Sequence, residues 1–98
     1  MNTVLIMYEL DPQAIILGHK EQFEVYLQSS NNFAKISETV WIIKTTTDPT
    51  HIRDDFRSLM LQGNPTPNGK IMAIDLKKNA WASFGFTEDV NSWMKNNL

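Results

Sequence analysis

From Thr3 to Tyr8 the chain runs apolar with almost no polar interruption and is rich in β-branched and aromatic residues. That composition predicts a strand buried on both faces in the middle of a sheet. Asp11-Pro12-Gln13 then reads as a turn, because proline disfavours helix at Asp11 and has no N–H to donate. From about Lys20 to Ser29 the period changes: Phe23, Tyr26 and Leu27 stand three and four apart between polar residues, which predicts a short amphipathic helix. The apolar run Ala14 to Leu17 lies between the two. It reads as a helix extension, a dimer contact or a docking segment, and Gly18 would interrupt a continuous helix.

Ser29, Ser30, Asn31 and Asn32 form a turn cluster. "FAKIS" and "TVWIIKT" follow as two extended segments, a hairpin with its turn near Ser37 to Thr39. A second helix begins after Thr47 or Asp48, either of which can cap, with Pro49 suited to the first turn. Ile52, Phe56, Leu59 and Met60 mark its apolar face, and it ends near Leu61 or Gln62, before the breaker-rich "GNPTPNG". "KIMAIDL" returns to strand, "KKNA" turns, and "WASFG" predicts a further short strand. The closing helix carries a Thr87 cap and the stripe Val90, Trp93, Met94.

This order, β-α-β-β-α-β with a short C-terminal β-α extension, predicts an α+β domain of the split-βαβ, ferredoxin-like kind, with both main helices on one sheet face. The first strand and the second hairpin strand belong at its centre. They are also the most apolar strands. At 98 residues, the whole of 1–98 forms one domain with a single core.

Composition narrows the chemistry. With 42% hydrophobic and 20% charged residues, the chain is that of an ordinary globular protein. It has no cysteine, so disulfides, thiolate zinc sites and cysteine nucleophiles are excluded. The longest apolar runs fall far short of the roughly 18 residues of a membrane span, and no basic leader precedes them. The expectation is a cytoplasmic protein without a membrane partner. A net charge of −2 argues against a general polyanion binder. A local basic face could be built from Lys70, Lys77 and Lys78, or from Arg53 and Arg57, whose bland reading is solvated surface charge. No G-x-S-x-G turn or phosphate-binding glycine motif is present.

Glu9 and Asp11 stand where the first strand ends. Oxygen donors of this kind suit magnesium, manganese or calcium. The competing reading is a strand leaving the core, with Asp11 making a turn before proline. If the helices cover Val40 and Ile42, alternation puts Trp41 on the other face, an interface candidate together with Trp81 and Phe84. Core packing and stacking on a nucleobase are the other uses of Trp41. His51, near Asp54 and Asp55, reads as an exposed helix residue or as half of an acid-base pair.

"MNTVLIMYEL", "ETVWIIKT", "IRDDFRSLM" and the tail from Gly69 to Leu98 together resemble a family of small bacterial proteins described as SinR-like. More distantly, the acidic end of the first strand and the order of elements resemble the small CRISPR-associated ferredoxin-fold protein and virulence-associated protein D. The resemblance implies a ferredoxin-like homodimer with the first-strand ends near the two-fold axis, and links to mobile-element or defence functions. Some of these relatives are metal-dependent nucleases, others bind or scaffold nucleic acid, and a toxin-antitoxin role follows by analogy. Nuclease-type members carry an aspartate after the strand's aromatic, one from each subunit, proposed to hold a divalent ion. The matching position here is Glu9, longer by one methylene, with Asp11 as a second donor and magnesium or manganese as the implied cofactor. The implied alternatives are therefore a dimeric binding or assembly protein and a metal-dependent endonuclease built on paired Glu9 residues.

Overall fold

The computed structural model describes residues 1–76 and 85–98. Its elements are β1 (Asn2–Glu9), α1 (Pro12–Ile16), α2 (His19–Gln28), β2 (Phe33–Ser37), β3 (Val40–Thr45), α3 (Pro49–Met60), β4 (Lys70–Asp75) and α4 (Glu88–Asn97). The strands form one antiparallel sheet in the order β2-β3-β1-β4. The architecture is α+β and compatible with a ferredoxin-like fold, with β1 and β3 central and β2 and β4 at the edges. The expected strand over "WASFG" falls largely on residues 77–84 and lies outside the described residues.

The helix count departs from the sequence reading, with four helices among the described residues where three were expected. Asp11 is held extended before Pro12, which opens a five-residue helix at its first position, and Gly18 at φ 80° separates α1 from α2. A left-handed φ costs glycine little and most other residues far more, so the reversal falls at Gly18. Only Ala14 of α1 is buried, while Ile15 and Ile16 remain exposed. Asp48 caps α3 by accepting a hydrogen bond from the His51 backbone N–H at 2.9 Å, with Pro49 in the first turn.

Alternation along β1 sends Val4, Ile6 and Tyr8 to the face that packs on α2 and α3. There they meet Phe23 and Leu27 of α2 and Ile52, Phe56 and Met60 of α3. The centre of this core is aromatic: Phe23 meets Tyr8 edge-on at 5.1 Å and Phe56 at 5.0 Å, and stacks on Tyr26 at 5.5 Å.

Register decides the fate of Trp41. It pairs with Ile6 and Ile43 pairs with Val4, so both face the helices, and Trp41 is 1% exposed. The placement of Trp41 on a helix-free face is therefore corrected: of the uses the sequence left open, it is core packing that the structure displays. Alternation fixes which residues share a face but not which face is covered, and the covered face took the larger side chain.

The second face is partly covered. Ala34 and Ile42 point there and are buried, and α4 packs against β2, with Met94 buried. Trp93 donates its indole N–H to Asn32 Oδ1 at 3.0 Å, and Asn32 in turn donates to Asn97 Oδ1 at 3.3 Å. Over β1 and β4 the described residues leave this face open. Met7 is 38%, Met72 52% and Ile74 40% exposed. The expectation that β1 is buried on both faces thus holds for only one of them in the single chain.

Four charges tie the hairpin to α2. Lys35 Nζ lies 2.9 Å from Glu24 and 3.6 Å from Glu38, and Lys20 Nζ lies 3.4 Å from each of the same two carboxylates. The hydrogen bond from Lys35 holds the Glu24 carboxyl below its ordinary range, against the opposing effect of burial. A depressed carboxylate stabilises the fold above its unfolded pKa, and this contribution is lost as pH falls through the lower folded value. Glu24→Gln is therefore expected to cost about 0.5–1 kcal/mol at pH 7, as ion pairs near a surface do. Urea melts should show the wild-type advantage shrinking as the pH drops below 4.5, the ordinary value, while the variant changes less.

Candidate functional site

The end of β1 is built by its two neighbours. Glu9 pairs with Lys70 of β4, while Tyr8, one residue earlier, donates its backbone N–H to the Thr39 carbonyl at 3.0 Å and its hydroxyl to the Glu38 carbonyl at 3.1 Å. Gly69 lets the loop before β4 approach closely: a Cβ there would stand 3.2 Å from the Glu9 carbonyl oxygen and 3.3 Å from the Phe56 ring. Glycine is the residue for such an approach. Alternation then places Glu9 and Lys70 on the open face of the sheet, both exposed. They border a shallow cleft of about 530 Å³ lined also by Met7, Thr39, Val40 and Met72.

Asp11 takes a different route. Its Oδ2 accepts a hydrogen bond from the Asn64 side chain at 3.0 Å, and its Oδ1 is shut away from solvent. Asn64 is itself buried, 7% exposed. This ties the β1–α1 turn to the loop after α3, so Asp11 is engaged in structure rather than presented beside Glu9. Among the described residues no three histidine or carboxylate side chains gather to hold a metal. Among the described residues that line this cleft, Glu9 is the carboxylate a magnesium or manganese ion would meet.

The remaining candidates separate. Lys70 flanks Glu9, whereas Lys77, Lys78, Trp81 and Phe84 lie outside the described residues. Arg53 pairs with its neighbour Asp54 at 2.9 Å on the exposed surface of α3. His51 is well exposed, its Nδ1 3.4 Å from Asp48. Asp55 accepts the Tyr26 hydroxyl at 2.6 Å, and burial together with this carboxylate pushes the tyrosine well above its ordinary range. His51 and Asp55 are thus engaged with different partners and form no acid-base pair.

Sequence reasoning overlooked the open patch itself. Its signal was present in "KIMAID", where Met72 and Ile74 are apolar on one face while Ile71 and Ala73 are apolar on the other, so neither side of β4 is suited to water. No helix among the described residues is long and apolar enough to cross a membrane. Comparison with family models, with curated proteins and with solved structures yields no match.

Proposed function

We propose that this protein is a ferredoxin-like binding or assembly module that works as a homodimer, in the mobile-element or defence setting that its resemblance implies. The observation that carries this reading is the open apolar face of β1 and β4, which exposes Met7, Met72 and Ile74 side by side. A contiguous apolar patch on a small domain marks a surface that another molecule covers. The engagement of Asp11 with Asn64 weighs against a catalytic pair within the chain. Sedimentation equilibrium through the micromolar range is the direct test: a two-chain mass is expected, and a single-chain mass throughout removes the reading.

One observation favours a second reading, a divalent-metal nuclease. Glu9 is exposed at the edge of a cleft, and among the described residues no ion pair engages it. A bound magnesium or manganese ion would activate water and stabilise charge on a phosphate. The residue's own role would be to hold that ion, with a second Glu9 facing it from the partner. If so, RNA or DNA cleavage in manganese should fall by about a hundredfold or more in Glu9→Gln, the scale of losing a group that stabilises transition-state charge. Cleavage that survives the substitution excludes Glu9.

A further inference from the structure

The open face carries a pattern that specifies how a second copy would sit. The register of β1 with β4 joins Leu5 to Ile74, Met7 to Met72 and Glu9 to Lys70. Alternation puts all six side chains on the same face, Leu5 half-buried and the other five exposed. In each pair the two members are alike or complementary: aliphatic with aliphatic, thioether with thioether, carboxylate with ammonium. We propose that a second copy of this chain docks on this face about a two-fold axis running along the strand direction between β1 and β4. Glu9 of each protomer then meets Lys70 of the other. The inference rests on the homodimer reading and fixes its geometry.

The argument is one of symmetry. A rotation about an axis parallel to the strands and midway between them carries β1 over the partner's β4 while keeping every residue at its own height. Each cross-strand pair is thereby repeated as a contact between protomers: Met7 over the partner's Met72, Leu5 over the partner's Ile74, Glu9 over the partner's Lys70. An isologous interface needs such self-complementarity. Strand directions in the two sheets stay nearly aligned, as in sandwiches whose sheets cross at about 30°. Facing sheets stand roughly 10 Å apart, a gap that a glutamate and a lysine span together. A two-fold perpendicular to the strands at Glu9 would instead bring the two carboxylates face to face, the arrangement a shared metal ion needs. The two geometries place the same residue against opposite charges.

Charge reversal distinguishes them. With the axis along the strands, Glu9→Lys and Lys70→Glu each create two like-charge contacts per dimer, and each is expected to weaken self-association by about tenfold in sedimentation equilibrium at low salt. An equimolar mixture of the two variants should recover association as a heterodimer, because each lysine then faces a glutamate. The double variant Glu9→Lys/Lys70→Glu should dimerise like the wild type and guards against misfolding as the cause of any loss. A Lys70→Glu chain that dimerises as well as the wild type overturns this geometry but leaves the homodimer standing, and so does a mixture that recovers nothing. A monomeric wild type overturns the homodimer reading as well.

Discussion

Replacing Phe23 with alanine is expected to remove about 3–5 kcal/mol of stability, as truncating a buried aromatic does. Phe23 is 1% exposed and touches three rings, those of Tyr8, Phe56 and Tyr26, which belong to β1, α3 and its own helix. Each contact adds to the loss beyond simple area, because edge-on and stacked rings attract one another specifically. A domain of this size is stable by roughly 5–15 kcal/mol in total, so this one change consumes a large part of the margin. Urea denaturation followed by tryptophan fluorescence should place the midpoint far below that of the wild type. A shift of a few tenths molar would mean that the site collapses around the cavity or that the aromatic cluster is not the centre of the core.

The second large effect concerns assembly rather than folding. Met72→Asp places a charge at the middle of the open face, at a residue that is 52% exposed in the single chain. The folded protomer should tolerate it within about 0.5 kcal/mol, as exposed substitutions usually are tolerated. In a dimer it would bury two carboxylates against apolar side chains, and self-association should weaken by about a hundredfold or more. Thermal melting and sedimentation equilibrium on the same samples separate the two effects. An unchanged dimer would move the interface off this face, whereas a loss of fold and dimer together would show that Met72 is needed within the chain.

Much of the architecture was legible because period and punctuation agree. The threefold and fourfold spacing of Phe23, Tyr26 and Leu27, the helix start at Thr47 or Asp48 before Pro49 and the turn near Ser37 to Thr39 each predict an element that the structure contains. Alternation in "TVWII" was also correct as alternation. What it could not supply was the sense of the face, which depends on Trp41 pairing with Ile6, a partner distant in sequence. The extra helix at Pro12–Ile16 was only half visible, since five residues are too few for a period to register. At the site, Glu9 lies where the strand pattern placed it, exposed at the end of β1. Asp11 was misleading because its partner Asn64 sits in a loop whose course no local rule specifies. The Lys20, Glu24, Lys35 and Glu38 array was half hidden for the same reason: Lys20 and Glu24 stand four apart on one helix, but the pairs that join that helix to the hairpin link residues distant in sequence.

The position of β1 also has a consequence for how the chain comes to be folded. β1 precedes both of its sheet neighbours in the chain yet ends in the middle of the sheet, flanked by β3 on one side and by β4 on the other. As synthesis proceeds, its apolar residues have no strand partner until β3 emerges, and the second flank stays bare until β4 follows the whole of α3. Long-range pairing of this kind slows folding and leaves hydrophobic strand edges uncovered in the meantime. The most aggregation-prone interval therefore lasts until β4 is made, when Val4 to Tyr8 and β3 have been built but the strand that covers the other flank of β1 has not.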